Sequence, residues 1–294
     1  MSREISYTAA YIAVKFYGLT LNPKLGKHFQ SEIIQFYDRI VRFLPSHLSW
    51  NYKALKSLFW RRFFVFNEEL LLPGDLMHII CRKYYIQQLV EQAILDGAKQ
   101  IVVLGSGFDH SAWWFSNRSI PSFEIDAPSM ISRKTEFLTG QDMLSNHLFL
   151  ESIDVNQASV YSILSDHPGF DTTKRTVYIA EGFFDYLTLE ATQSVLDQIH
   201  LLTPDHSLIT TFFSLDELNI FHRTSFTSGV AMAGEAIKLP LNMDGFQRVL
   251  AEHRYAEHRV IPYSDMRKAL IQPSGISLPV LRGFYVMRYD STSF

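Results

Sequence analysis

Short apolar runs alternate with stretches of helical periodicity from about residue 75 to the end of this 294-residue chain. The runs are rich in β-branched and aromatic residues, as buried strands are. Strands that alternate with helices form a parallel sheet with helices on both faces. The pattern therefore predicts an α/β fold with a mostly parallel sheet. The predicted strands are 100–105, 121–126, 148–154, 175–182, 206–213, 254–261 and 281–289.

The first 75 residues carry helix-period apolar patterns and no clear strand, which predicts an N-terminal helical cap over residues 1–75. Phe59, Phe63, Phe66 and Leu70 recur at the spacing of one helix face. We expect this helix to pack as a lid over the rest of the chain. A helix that lies on a membrane surface is the alternative.

The composition excludes several classes of protein. The 47% of hydrophobic residues, with 23 phenylalanines and 14 tyrosines, gives too much apolar surface for a disordered chain. A single cysteine, Cys81, and only 14 glycines exclude a disulfide scaffold and a collagen. The formal charge of −3 gives no basic field that would favour nucleic acid. The N-terminus lacks the features of a signal peptide, and its apolar stretch is too short to cross a bilayer, so we expect a cytoplasmic protein without a membrane partner.

The most informative motif is a glycine-rich loop, Gly105-Ser106-Gly107, between the first predicted strand and a helix. Glycines let the backbone turn sharply and approach a ligand, and the next helix offers free N–H groups. Asp126 ends the second predicted strand, 19 residues after Gly107. An acid at that place accepts hydrogen bonds from ribose hydroxyls. The motif therefore predicts a nucleoside site, while a helix-capping role for Asp126 is the alternative.

The residues after the glycines favour one kind of nucleoside. A dinucleotide site has a third glycine where this chain has His110, and Asp109 precedes it. An acid repels a pyrophosphate but suits a ligand with a cationic end, so S-adenosylmethionine matches the loop better than NAD. Asp154 and Glu181 end the third and fourth predicted strands. Ligands bind outside the carboxyl ends of parallel strands, so these acids and Asp126 are expected to share one crevice.

An ordered set of motifs extends this pattern over roughly residues 76–260. The set comprises Arg82-x-x-Tyr85-Ile86, GAKQIVVLGSGFD (97–109), FEIDAP (123–128) with Lys134, Asp154, GFD (169–171), YIAEGFFDYL (178–187) and, more faintly, GEAIKLPLN (234–242). In these motifs the chain resembles the leucine carboxyl methyltransferase-like family of class I S-adenosylmethionine-dependent methyltransferases. The resemblance implies a Rossmann-like methyltransferase domain over 76–294, with a substrate-pocket insert near 214–245.

The resemblance also implies roles for individual residues. Arg82 would pair with the methionine carboxylate of the cofactor, and Asp126 would bind its ribose. Tyr186 would contact the acceptor, although a core aromatic role is the alternative. The other cofactor residues implied are Gly105, Gly107 and Asp109 in the loop, Asp154 and Val155 beside the adenine, and Glu181 near the methionine portion.

The chain departs from the family just after the loop. Family members usually place arginines there, whereas this chain has His110 followed by Trp113 and Trp114. We therefore expect a cleft with less positive charge and more indole surface, which makes a carboxylate acceptor less assured. His110 is a candidate general base, because histidine titrates near neutral pH. A loop-packing role for His110 is the alternative.

These observations lead to one expected function and two alternatives. We expect methyl transfer from S-adenosylmethionine, with S-adenosylhomocysteine as product, to a carboxylate or a hydroxyl or enol oxygen. The acceptor would be an apolar small molecule or a peptide terminus. A NAD-type oxidoreductase and a non-catalytic cofactor-binding relative are the alternatives. No metal is expected, because His253 and His258 are off one helical face and no cysteine cluster exists. The sequence does not indicate the oligomeric state.

Overall fold

A computed structural model gives the fold of the chain and describes residues 6–49, 57–153, 159–232 and 234–292. Within these residues seven strands form one sheet in the order β3-β2-β1-β4-β5-β7-β6. The strands are β1 (Gln100–Leu104), β2 (Ser122–Asp126), β3 (Leu148–Ser152), β4 (Thr176–Ala180), β5 (His206–Phe213), β6 (Tyr255–Pro262) and β7 (Phe284–Ser291). Strands β1 to β5 are parallel, and β7 runs antiparallel to both β5 and β6.

Helices surround this sheet. They are α1 (Tyr7–Thr20), α2 (Pro23–Gly26), α3 (Ser31–Phe43), α4 (Ser46–Ser49), α5 (Leu58–Leu71), α6 (Asp75–Leu95), α7 (Ser111–Ser116), α8 (Pro128–Gly140), α9 (Val160–Leu164), α10 (Leu189–Leu202), α11 (Ile220–Met232), α12 (Met243–Glu252) and α13 (Tyr263–Met266). The α/β fold that the sequence predicts is confirmed.

Alternate residues of the central strand β1 belong to two apolar clusters, one for each face of the sheet. Ile101 and Val103 pack in the cluster that includes the buried residues of α1, α3 and α6. Val102 and Leu104 pack in the cluster that includes residues of α10 and α12. Successive side chains of a strand point to opposite faces, so the continuous apolar sequence of β1 fits a strand covered on both sides.

Helix α5 forms as the apolar periodicity predicts, but its apolar face is not packed. Phe59 is 69% and Phe66 is 68% exposed, and Phe63 and Leu70 are exposed as well. The polar side of the helix faces the protein instead, where Glu68 accepts a hydrogen bond from Lys15 at 2.9 Å. The helix therefore packs on the chain through its other side, and a lid role for residues 1–75 stays a prediction. Among the described residues no helix is both long and apolar enough to cross a membrane.

Candidate active site at the carboxyl edge of the sheet

The loop after β1 turns through two glycines whose backbones lie in the left-handed region. Gly105 has φ +61° and Gly107 has φ +47°, which side-chain-bearing residues rarely adopt. A Cβ atom on Gly105 would lie 2.8 Å from the ring of Phe183, which follows β4. Glycine at position 105 thus satisfies both the turn and the close approach of the neighbouring loop.

Asp126 is tied to this loop. Its Oδ2 accepts a hydrogen bond from the Gly107 N–H at 2.7 Å, and its Oδ1 accepts one from the Ala127 N–H at 2.6 Å. Burial raises the pKa of Asp126, and the two backbone hydrogen bonds oppose this without cancelling it. The carboxylate is therefore held in a fixed orientation beside the glycine turn. Helix α8 begins two residues later, so the helix-capping reading does not explain the contact with Gly107.

Arg82, on α6, meets Glu181, which directly follows β4. The Arg82 Nε atom lies 2.6 Å from Glu181 Oε1 in a buried ion pair. A Cβ atom on Gly182 would lie 2.9 Å from Arg82 Nη2, so the glycine leaves room for the guanidinium. Glu181 Oε2 is buried and has no hydrogen-bond partner among the described residues.

Lys83 forms ion pairs with two of the acids expected at the site. The sequence did not predict a role for this lysine. Its Nζ lies 2.5 Å from Asp109 Oδ2 and 2.8 Å from Glu181 Oε1. Burial lowers the pKa of Lys83, but Asp109 and Glu181 more than reverse this, so the pKa is raised overall. Burial by itself raises the pKa of Asp109, yet the charge of Lys83 and contact with His110 hold it well below its usual range. Both groups are therefore charged at neutral pH.

Lys134 supplies a second buried cation beneath the loop. It donates a hydrogen bond to the Asp109 carbonyl at 2.7 Å and lies 2.6 Å from Glu124 Oε2. The loop itself has no cation, but Lys83 on α6 and Lys134 on α8 both contact Asp109. These two buried lysines do not replace the missing loop arginines, so the expectation of a cleft with less positive charge stays a prediction.

The two tryptophans after the loop each contact another side chain. Trp113 stacks on Phe36 of α3 with ring centroids 4.8 Å apart. Trp114 lies against the guanidinium of Arg118, 4.8 Å from the ring centroid. Trp113 therefore serves the contact between α3 and α7, and the expected gain of indole surface in the cleft stays a prediction.

His110 is buried in the same contact. Its Nδ1 lies 3.2 Å from the hydroxyl of Tyr37 and 3.6 Å from Asp109 Oδ2. The ring also lies 6.4 Å from that of Phe36, between centroids. These contacts support the loop-packing alternative, and a general-base role for His110 stays a prediction.

Tyr186 lies on the β4 side of the site, half-buried. Burial raises its pKa, the nearby acids Asp185 and Glu235 raise it further, and Arg82 opposes them. The phenol is therefore neutral near pH 7 and suits a hydrogen-bond donor better than a base. Asp185 is fully buried; burial raises its pKa to about 7, against a hydrogen bond from the Phe213 N–H.

The N-terminal helix α1 and the segment after α11 approach the same edge. A Cβ atom added to Gly107 would lie 3.1 Å from the Cβ atom of Ala9. The Ser6 hydroxyl donates a hydrogen bond to Glu235 at 2.7 Å. The Lys238 N–H donates to the carbonyl of Asp185 at 2.9 Å. Asp154 and Val155, the expected adenine neighbours, lie outside the described residues.

The residues at this edge fit an amino acid nucleoside. Glu181 Oε2 has no partner among the described residues, so it can accept a hydrogen bond from an ammonium group. The Arg82 guanidinium can bind a carboxylate. Asp126 can accept hydrogen bonds from ribose hydroxyls. No group of three His, Cys, Asp or Glu side chains suited to a metal occurs within the described ranges.

The fold is that of the class I methyltransferases, and two solved structures have a similar fold. A provisionally named methyltransferase from Thermobifida fusca has a TM-score of 0.52 at 13% identity, over 81% of this chain and 90% of that one. A DUF574-family protein from Streptomyces avermitilis has a TM-score of 0.54 at 10% identity, over 79% of this chain and 91% of that one. Identities this low establish the fold alone.

The sequence comparison is more specific. A profile of the leucine carboxyl methyltransferase family matches residues 36–200, just over half of the sequence. The chain belongs to the leucine carboxyl methyltransferase family. S-adenosylmethionine is the cofactor that this membership assigns to it.

Two curated relatives, provisionally named S-adenosyl-L-methionine-dependent methyltransferases, agree. The protein from Mycolicibacterium paratuberculosis is 32% identical over 130 residues, which is 42% of this chain and 40% of the relative. The protein from Mycobacterium tuberculosis is 32% identical over 121 residues, 40% of this chain and 37% of the relative. The chain thus spans about two fifths of the length of the curated relatives it matches. The comparisons give the oxidoreductase alternative no support.

Proposed function

We propose that the chain transfers a methyl group from S-adenosylmethionine to an oxygen of a small molecule or a peptide terminus. The observation that carries the proposal is the joint position of Asp126, the glycine turn and the Arg82–Glu181 pair at one sheet edge. When bound, the cofactor supplies an electrophilic methyl group on a sulfonium leaving group.

The chain's own residues would then bind and orient. Arg82 would hold the methionine carboxylate, and Glu181 Oε2 would accept from the ammonium. Gly105, Gly107 and Asp109 would border the methionine portion, and Asp126 would accept from the ribose. Lys83 would bridge Asp109 and Glu181 and hold both side chains in place. Aligning donor and acceptor in this way can contribute about 7–11 kcal/mol to lowering the barrier in the best cases.

The acceptor pocket would lie between the N-terminal cap of residues 1–75 and the insert near 214–245, above the methyltransferase domain over 76–294. The Ser6–Glu235 hydrogen bond and the Lys238–Asp185 contact support this, because they join those segments over the site. Tyr186 would donate a hydrogen bond to the acceptor there. A carboxylate acceptor needs no base, whereas a hydroxyl or enol would call on a group such as His110.

Calorimetry tests the cofactor half of the proposal. Asp126→Ala is expected to weaken S-adenosylmethionine by about 1.5–3 kcal/mol, because hydrogen bonds to a charged acceptor are lost. The variant also removes the acceptor of the Gly107 N–H, so S-methylmethionine, a sulfonium amino acid without ribose, is the control ligand. It is expected to lose far less. Equal losses for both ligands would show that Asp126 only shapes the loop.

A turnover assay tests the transferase half. The wild-type chain is incubated with S-adenosylmethionine and a metabolite extract, and released S-adenosylhomocysteine is measured. Release that depends on the extract supports methyl transfer, and fractionation then identifies the acceptor. Cofactor binding without release would favour the non-catalytic alternative.

A further inference from the structure

A cavity of about 480 Å³ lies at the same edge of the sheet as the candidate active site. It is next to strands β5, β7 and β6, whereas the candidate active site is next to β1, β2 and β4. Its wall comes from the loop before α6, the start of α11, the residues after β6 and the loop before β7. The carboxyl ends of β5 and β6 and the amino end of reversed β7 meet there. Arg82 lies two turns, about 11 Å, along α6 from the helix start beside the cavity.

The wall carries three cations: Arg267, Lys268 and Arg282. It contains no aspartate or glutamate. Within the described residues none of the three cations lies within 4.0 Å of an acidic oxygen, although the whole chain has a formal charge of −3. The nearest acid in sequence, Asp265, is outside the wall and accepts a hydrogen bond from Ser264 at 3.3 Å. Three unneutralised cations around one concavity attract anions.

The backbone beneath two of these cations is unusual. Arg267–Ile271 forms a π-helical turn directly after α13. Such turns are rare and occur frequently at functional sites. Here the turn places Arg267 and Lys268 next to each other on the cavity wall.

The rest of the wall has apolar and polar residues. Tyr263, Val280 and Pro73 provide an aromatic and aliphatic surface, and His222 and Asn219 add polar groups. His222 and Asn219 are 3.1 Å apart, Nδ1 to Nδ2. A ligand that fits would carry its charge at one end and an apolar or aromatic group at the other.

We infer that this cavity binds an organic phosphate, with the phosphate at Arg267, Lys268 and Arg282 and its apolar part against Tyr263. Two guanidinium groups can each make paired hydrogen bonds to phosphate oxygens, and three cations suit a dianion better than a carboxylate. This inference does not depend on the methyltransferase activity, and the site is separate from the residues around Arg82.

Calorimetry with phenyl phosphate, inorganic phosphate and benzoate tests it on the full chain. Phenyl phosphate is expected to bind saturably and more tightly than either inorganic phosphate or benzoate. The triple variant Arg267→Ala, Lys268→Ala, Arg282→Ala is expected to weaken phenyl phosphate by about tenfold or more. All three side chains are exposed, so the fold is expected to survive, which circular dichroism checks.

The matched control removes two arginines and one lysine elsewhere: Lys99→Ala, Arg248→Ala, Arg259→Ala. These are also exposed and lie outside the cavity wall. The control is expected to change the affinity by less than about twofold, because it alters only the distant field. Equal loss in both triple variants, or no saturable binding by wild type, would overturn the site. Benzoate binding as tightly as phenyl phosphate would overturn the assignment to phosphate.

Discussion

Two adjacent residues of α6, Arg82 and Lys83, meet the same carboxylate, Glu181, from two directions. Buried charges are tolerated where they are paired and hydrogen-bonded, and removing one partner leaves the other uncompensated. The arrangement leaves Glu181 with one oxygen in ion pairs and one without a partner. The free oxygen is what a cationic ligand group would use.

Arg82→Lys is expected to weaken S-adenosylmethionine by about 1.5–3 kcal/mol, because lysine cannot reproduce the planar fork that binds a carboxylate. Decarboxylated S-adenosylmethionine lacks that partner and is expected to lose little. Titrating both ligands into both proteins gives a cycle that removes general effects on the fold. A similar loss for the two ligands would mean that Arg82 serves only its ion pair with Glu181.

Asp185 predicts a stability effect that depends on pH. Its folded pKa of about 7 lies above the value of about 3.9 expected in the unfolded chain. The protonated carboxyl therefore contributes its full stabilisation below about pH 4. This contribution is lost as the pH rises to about 7. Asp185→Asn cannot ionise and keeps an acceptor for the Phe213 N–H. The free energy of unfolding of this variant, relative to that of wild type, is expected to rise by up to about 1.4 kcal/mol per pH unit over that range.

Urea unfolding at several pH values between 5 and 8 measures this difference. Asp185→Ala is the control, since it also cannot ionise but loses the acceptor for Phe213. It is expected to be less stable than the asparagine variant while showing the same dependence on pH. A difference between Asp185→Asn and wild type that stays constant with pH would contradict the buried, unpaired carboxyl.

The strands of the sheet are predicted from sequence to within a few residues, because all of them except β6 are short, mostly apolar runs between polar turns. The last strand begins at Phe284 rather than at 281, since Gly283 turns with φ +76° before it. Helix α5 formed as predicted, but periodicity shows only that an apolar face exists, not what covers it. Lys83 could not be assigned from sequence, because its partners Asp109 and Glu181 come from distant loops.

At the scale of these elements, three glycines separate the effect of backbone conformation from that of packing. Gly140 ends α8 with open space around it, and Gly97 has open space but φ +109°. Gly105 has both a positive φ and Phe183 within 2.8 Å of a Cβ position. Gly140→Ala is expected to be stabilising by about 0.4–1 kcal/mol. Gly97→Ala is expected to cost about 1–2 kcal/mol.

Gly105→Ala is expected to cost more than Gly97→Ala, because the contact with Phe183 adds about 1–3 kcal/mol. Denaturant unfolding ranks the three variants. Adding Phe183→Leu to Gly105→Ala is expected to recover part of the loss by removing the ring. Equal costs at positions 97 and 105 would show that Phe183 moves aside freely and that the turn alone requires glycine.

At the scale of the whole molecule, the N-terminal helices and the sheet share one apolar cluster. Buried residues of α1 and α3 belong to the cluster that contains Ile101 and Val103 of the central strand. Phe36 of α3 is central to this contact, since it stacks on Trp113 and lies 5.6 Å from the ring of Phe137, between centroids. The Lys15–Asp75 ion pair, at 2.7 Å, adds a polar link between α1 and α6.

This shared core predicts that the cap and the sheet unfold together. Phe36→Ala is expected to destabilise the chain by about 3–5 kcal/mol, the range for removing a buried phenylalanine. Phe66→Ala, on the exposed face of α5, is the matched control and is expected to change stability by less than about 0.5 kcal/mol. Urea unfolding followed by tryptophan fluorescence and by far-ultraviolet circular dichroism should give coincident curves for each protein. Two separate transitions, with Phe36→Ala shifting only the first, would instead mean that the N-terminal helices form an independent unit docked on a sheet that is stable without them.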